Sequence, residues 1–375
     1  MKYSIEIGKI VEGALKRDQI KVINYTKQLI SKLEEDDEKR AANKFSKLLA
    51  AQSATTLSAM GIRKEPFIPV DSESRTVMAD IVYPDDNNID VILSKQNSEN
   101  LRSFILNYKN ADKLNSLGIG VSNTLLLYGP PGCGKTQCAY LIARELNLPL
   151  VIARLDSIIS SYLGTTAKNI RMLFEFAQKM PCVLFLDEFD AIAKARDDSN
   201  ELGELKRVVN SLLQNVDAMS SDSLLIAATN HEKLLDTAVW RRFEYKLRIE
   251  LPDTCAIIEM IDLFSKGNHN LTIKEKRELA TVFTGLSGAN IEGLILKAIR
   301  NAVINESQVS KLDFYEEFFS FKNIISQNCS NEKMILKTKA KFLRECDEKV
   351  FSLQVIADIL GSSKTTISKL VKEAD

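Results

Sequence analysis

The chain has no excess of charge of either sign: among its 375 residues, 50 are Lys or Arg and 50 are Asp or Glu. Net charge therefore points to no anionic partner. Long apolar runs are missing too. None reaches the roughly 20 residues that a membrane helix needs, and the N-terminus MKYSIEIGKIVEG has no apolar signal core. The six cysteines, at 133, 138, 182, 255, 329 and 346, follow neither metal-site nor disulfide spacing. Internal repeats and low-complexity tracts are also absent. What remains is a globular protein, expected in the cytoplasm, where a free Cys133 thiol suits a reducing compartment. The length predicts two or three domains.

What is present centres on Gly129-Pro130-Pro131-Gly132-Cys133-Gly134-Lys135-Thr136. The apolar run Leu125–Tyr128 before it reads as a buried strand, and the stretch from Gln137 to Leu146 after it reads as a helix. Strand, G-x-x-x-x-G-K-T, helix is the context of a phosphate-binding loop. The glycines let backbone N–H groups curl around phosphate oxygens, and the helix N-terminus adds positive partial charge. Lys135 would reach the β- and γ-phosphates, and Thr136 would ligate Mg²⁺.

The rest of the chain organises around that loop. Residues 1–60 carry apolar positions at helical spacing, through Ile20, Ile23, Leu29, Ile30 and Leu33, and predict a helical N-terminal extension. The charged run 34–40 belongs to a turn or a solvated face. Residues 61–88 hold Pro66, Pro69 and Pro84 and read as a linker, with a short strand near Val77–Val82. From 89 to 252, apolar runs at 124–128, 148–154, 182–186, 223–228 and 245–251 alternate with helical segments. That alternation predicts an α/β domain, a parallel sheet wrapped by helices. Residues 253–310 read as an all-helical lid and 311–350 as a helical connector.

Two further stretches complete a constellation. Val183–Leu186 is an apolar strand that ends in Asp187-Glu188. Asp187 would hold the Mg²⁺, and Glu188 would orient and deprotonate an attacking water. Ser223–Asn230 is another strand, and Asn230 at its tip could hydrogen-bond the γ-phosphate or simply form a turn. Arg241 and Arg242 sit side by side in a largely apolar stretch. They read either as arginine fingers offered to a neighbouring subunit or as a surface salt-bridge pair.

This ordered set resembles the AAA family of ATPases. Gly129–Thr136 is similar to the Walker A motif, Leu184–Glu188 to Walker B, and Asn230 stands at the sensor 1 place. Residues 235–243 resemble the second region of homology, with the close arginine pair most similar to katanin and spastin. Gly285–Asn290 resembles the lid motif, where Gly288 and Ala289 approach the nucleotide; Asn290 replaces the usual Asp, and Cys133 the usual Thr or Ser. The resemblance covers residues about 90–305. It implies Mg-ATP bound by Gly129, Pro130, Pro131, Gly132, Cys133, Gly134, Lys135, Thr136 and Gln137, and a homo-oligomer, most simply a hexamer. It also implies that Tyr162-Leu163-Gly164 is a channel loop that grips polypeptide, the alternative being a turn with a core tyrosine.

The C-terminus carries a second pattern. Over 353–372, Ile356, Ala357 and Leu360 would line one helix, Gly361 a turn, and Ile367 and Leu370 a second helix. That is a helix-turn-helix, residues 351–375, able to contact DNA or to dock protein. Residues 351–375 hold three lysines against three acids, so basic charge there is modest.

The expectation is thus an ATP-hydrolysing AAA ring that remodels or unfolds a protein partner. A subtilisin-like peptidase is one such partner by resemblance. The competing expectation is an ATP-switched DNA-associated regulator, or a helicase-loader-like protein, with 353–372 on DNA.

Overall fold

Apolar periodicity builds the first three elements: α1 (Ser4–Leu15), α2 (Gln19–Glu35) and α3 (Lys39–Thr56). They belong to a computed structural model that describes residues 3–56, 68–71, 75–83, 90–121, 123–158, 163–193, 202–219, 223–324 and 332–372. Leu29, Leu33 and Ala42 are buried in a small cluster, with Ile7, Ile10 and Phe45 against it. Asp18 caps α2 by accepting the Lys21 N–H at 3.0 Å. The charged run 34–40 straddles the turn after α2, with Asp37 at φ 60°. The start of α1 is tied down by the Asp112 carboxylate, which accepts the Tyr3 N–H at 3.0 Å and the Ser4 hydroxyl at 2.6 Å.

Strand and helix then alternate. The order is β1 (Ala79–Val82), α4 (Lys95–Lys109), α5 (Ala111–Ser116), β2 (Thr124–Tyr128), α6 (Lys135–Glu145), β3 (Leu150–Ala153), α7 (Leu155–Ile158) and α8 (Leu163–Ala177). It continues through β4 (Val183–Leu186), α9 (Asp190–Ala193), α10 (Leu202–Asp217), β5 (Leu224–Thr229), α11 (Thr237–Arg242) and β6 (Tyr245–Arg248). The six strands form one sheet in the order β1-β3-β4-β5-β2-β6. All pairs are parallel except β1 with β3. β4 and β5 are buried along their whole length, as strands covered on both faces must be. β1, an edge strand of the sheet, falls where the short strand near Val77–Val82 is expected within the proline-bearing stretch 61–88.

From residue 249 the chain is helical: α12 (Thr254–Ser265), α13 (Ile273–Phe283), α14 (Gly288–Ile304), α15 (Lys311–Phe321), α16 (Glu332–Cys346), α17 (Leu353–Ile359) and α18 (Lys364–Lys372). The chain divides into two compact units. The first holds residues 1–89, 97–129 and 135–248; the second holds 90–96, 130–134 and 249–375. In the first, the sheet face that carries Leu126, Leu184, Leu186, Leu225 and Ala227 packs with buried side chains such as Phe174, Leu212 and Phe243. In the second, one apolar cluster runs from Ile257 and Phe283 through Phe314 and Phe318 to Ile356, Ile367 and Leu370. The stretches 253–310, 311–350 and 351–372 all contribute to it. Among the described residues, no helix is long and apolar enough to cross a membrane.

The second unit also buries an acid. Glu278 on α13 is 4% exposed, and its Oε2 has no hydrogen-bond partner among the described residues. Burial pushes its carboxyl pKa up, helped by the charges of Glu275 and Asp358 and opposed by Lys311 and Lys274. Well below its ordinary pKa, Glu278 is neutral in the folded and unfolded chain alike, and no penalty arises. As pH rises from that ordinary value to the raised folded one, the unfolded chain ionises first and stability is lost. Glu278→Gln should therefore raise the thermal midpoint of this unit at pH 7.5, with the gain shrinking toward pH 4.5. Calorimetry over that range checks it, and a gain that is constant with pH would overturn the assignment.

Candidate active site

β4, β5 and β2 are adjacent and parallel, so their C-terminal ends finish on one edge of the sheet. In such sheets ligands bind beyond the carboxyl ends of the strands. Gly129 follows β2, Asp187 follows β4, and Asn230 follows β5. The sheet thereby collects on one edge three groups that lie far apart in sequence.

In the first unit, α6 begins at Lys135 directly beyond the loop. Lys135 is buried, and its Nζ donates to the Gly129 carbonyl at 2.7 Å. Thr136 Oγ1 donates to Asp187 Oδ2 at 2.8 Å. A hydroxyl and a carboxylate in contact are a hard-oxygen pair that could share one divalent cation. Among the described residues, no group of three His, Cys, Asp or Glu side chains could hold a metal by itself. A cation here would complete its shell with phosphate oxygens and water, as Mg²⁺ commonly does. Gln137 is exposed on the same helix, whereas Cys138 is fully buried. Burial pushes the Cys138 thiol up to about 12 despite the nearby Lys135 charge, so it stays protonated.

Glu188 is exposed and sits at φ 49°. A non-glycine residue in that region costs on the order of 1–3 kcal/mol and persists only where neighbours over-determine it. They do so here. The Glu188 N–H donates to Asp187 Oδ1 at 2.9 Å, and the Phe189 N–H donates to the Ala228 carbonyl at 2.8 Å. Buried Asp190 accepts the Thr229 hydroxyl at 3.1 Å. Thr229 Oγ1 in turn accepts the His231 N–H at 3.0 Å, which fixes the backbone on both sides of Asn230. The exits of β4 and β5 are thus stitched together, and no sequence motif signalled the strained Glu188.

The two arginines part company. Asp236 caps α11 by accepting the Ala238 N–H at 2.6 Å. Arg242 at its end makes a two-pronged pair with Asp217, Nε to Oδ1 at 2.7 Å and Nη2 to Oδ2 at 3.0 Å. Arg241 is exposed and makes no ion pair among the described residues. The Arg242 carbonyl accepts the Thr124 hydroxyl at 3.1 Å. Thr124 opens β2, and the phosphate-loop sequence leaves from the other end, about 16 Å away at strand rise. Tyr162 lies outside the described residues; Leu163 and Gly164 open α8.

In the second unit, Gly132 stands at φ 72° and Gly134 at φ 94°. The Ala289 N–H donates to the Gly132 carbonyl at 3.0 Å. Ser287 caps α14 by accepting the Asn290 N–H at 3.3 Å. A Cβ at position 132 would lie 2.9 Å from Ser287 Oγ and 3.2 Å from Ala289 Cβ. Gly288 has the Gly132 carbonyl 3.5 Å from where its own Cβ would stand. The loop segment 130–134 and the start of α14 therefore fit each other at backbone range.

Residues 125–251 match the family described as "ATPase family associated with various cellular activities (AAA)". The uncharacterized AAA family ATPase y4kL of Sinorhizobium fredii is 42% identical over 288 residues, 76% of this chain and 86% of that protein. The chain belongs to the AAA family of ATPases. A proteasome-activating nucleotidase of Methanococcus maripaludis is 33% identical over 229 residues, and the chain spans only 56% of its length. The crystal structure of the FIGL-1 AAA domain shares the fold, with a TM-score of 0.56 at 23% identity over 74% of this chain and 97% of that one.

As an AAA ATPase, the chain binds and hydrolyses ATP. The geometry can supply a buried ammonium, a hydroxyl–carboxylate pair, and an exposed carboxylate on a strained residue. The loop's shape generates a prediction of its own. Gly132→Ala would impose a left-handed Cβ penalty of about 1–2 kcal/mol and push Ser287 off its cap. The variant should unfold on the order of 2 kcal/mol more easily and bind a fluorescent ATP analogue more weakly. Urea denaturation at parental stability would show that the close approach of Ser287 is absent.

Proposed function

We propose that the protein is a Mg-ATP-driven ring, a hexamer by resemblance, that remodels or unfolds a protein partner. One observation carries the ring. The Arg242 backbone lies by Thr124 at the start of β2, away from the end that leads to the chain's own phosphate-binding loop. Exposed Arg241 beside it is free to serve a site on a neighbouring copy. Contacts between unlike faces of successive copies close such a ring.

Lys135 and the loop backbone would hold the phosphates, and Thr136 and Asp187 would hold Mg²⁺, which when bound would supply charge neutralisation at the phosphoryl group. Glu188 takes the proton of the attacking water while its strained backbone fixes its direction. Asn230 helps align that water. Arg241 reaches a neighbour's γ-phosphate, while Arg242 keeps α11 in place through Asp217. The loop at 162–164 grips the polypeptide. The proteasome-activating role in the name of the Methanococcus relative supports work on proteins.

Glu188→Gln should keep ATP binding and slow turnover by about 10²–10⁴-fold, the usual contribution of a general base. Turnover at the parental rate would remove Glu188 from that role.

Arg241→Ala should cost turnover about 10³-fold or more with binding retained, as fingers do. Arg242→Ala should be matched by Asp217→Ala, since both break one pair. Mixing Arg241→Ala with Lys135→Ala subunits should restore hydrolysis at the composite interfaces. Full activity in a strictly monomeric preparation would end the ring model.

A further inference from the structure

The ATPase reading leaves the last two helices without a task. The chain leaves α17 through Leu360-Gly361-Ser362-Ser363, turning where Gly361 adopts φ 60°. Ser363 Oγ accepts the Thr366 N–H at 3.1 Å and so caps α18. Ile356, Ala357 and Ile359 of α17 are buried, as are Ile367 and Leu370 of α18 and Ala340 and Leu343 of α16. These side chains share one cluster, so α16, α17 and α18 form a three-helix arrangement with α18 anchored along one stripe.

The other side of α18 is open. At 100° per residue, Lys364, Ser368, Lys372, Thr365 and Lys369 fall on a single arc of about 140°. All but Ser368 are exposed, and Ser368 is half-buried. The three lysines make no ion pair among the described residues. Residues 332–375 hold nine Lys or Arg against seven Asp or Glu. Counting α16 with the helices it packs against thus turns the even balance of 351–375 into an excess of two positive charges.

We propose that this face of α18 binds duplex DNA in its major groove. A nine-residue helix is about 13 Å long, and the groove is about 12 Å wide and admits a helix. The four-residue turn and the small Ala357 give the helix-turn-helix connection that presents a second helix outward. Lys364, Lys369 and Lys372 would take phosphates, and Thr365 and Ser368 are short hydroxyls suited to base edges. This surface is separate from the residues of the ATP site and does not depend on the remodelling reading.

The full-length protein, without nucleotide, would be titrated into a labelled 30-base-pair duplex by fluorescence anisotropy at 50 to 200 mM salt. Three phosphate contacts predict a log–log salt slope of about −2.7 per bound copy, or an affinity loss of about forty-fold across that range. Lys364→Glu with Lys369→Glu and Lys372→Glu should abolish binding at 50 mM salt, with the ATPase rate and thermal midpoint unchanged. Lys→Gln at the same three positions adds no repulsion and should flatten the slope. The same charge reversal at exposed Lys27, Lys44 and Lys47 should leave affinity within about two-fold. Absence of duplex binding by the parent at 50 mM salt would overturn the proposal. So would equal losses in the two charge-reversed proteins, or stronger binding of single-stranded RNA than of the duplex.

Discussion

The pairing register of three strands governs everything at the candidate site. Leu186 of β4 stands opposite Ala227 of β5, and Thr229 of β5 stands opposite Tyr128 of β2. Gly129 and Asn230 come next on β2 and β5 and stand level with each other, while Asp187 comes level with Ala228, two residues before Asn230, so the three groups gather at one sheet edge by construction. A slip of one residue would turn every side chain of a strand to the other face. In strands buried on both sides that slip would break packing twice over. Sheet stability and site geometry are therefore one constraint.

That constraint explains why so much of the centre was legible from sequence. Short apolar runs such as Val183–Leu186 have no polar face, so they could only be interior strands. Their ends had to carry the first polar residues, Asp187 and Glu188. The phosphate-loop pattern then fixed which edge of the sheet mattered. In the stretch 61–88 the short strand near Val77–Val82 was legible, and β1 is four residues long. Its partner β3 lies about 70 residues away, and nothing local announces their antiparallel pairing.

Other features were invisible because they are properties of approach rather than of pattern. The arginine pair reads symmetrically along the chain, yet Asp217, 25 residues earlier, engages Arg242 alone. The positive φ of Glu188 follows from hydrogen bonds that Asp187, Phe189 and Asp190 make with different partners. Sequence named these residues but could not say that the backbone between them is twisted. Strain of this kind gathers where a side chain must point in one direction. At the C-terminus the last 25 residues leave out α16, whose Ala340 and Leu343 folding packs into one apolar cluster with α17 and α18.

The single apolar cluster of the helical unit has a mechanical meaning. Phe283 of α13, Phe318 of α15 and Ile367 of α18 are closed into one body, and close-packed interiors transmit displacement rather than absorb it. The same unit holds Ser287 and Ala289, which meet Gly132 of the phosphate loop at backbone range. Among the described residues, one apolar cluster links α14 to α18, so a shift at α14 has a packed route to α18. The last described helix is in effect a pointer fixed to the part of the molecule that touches the loop.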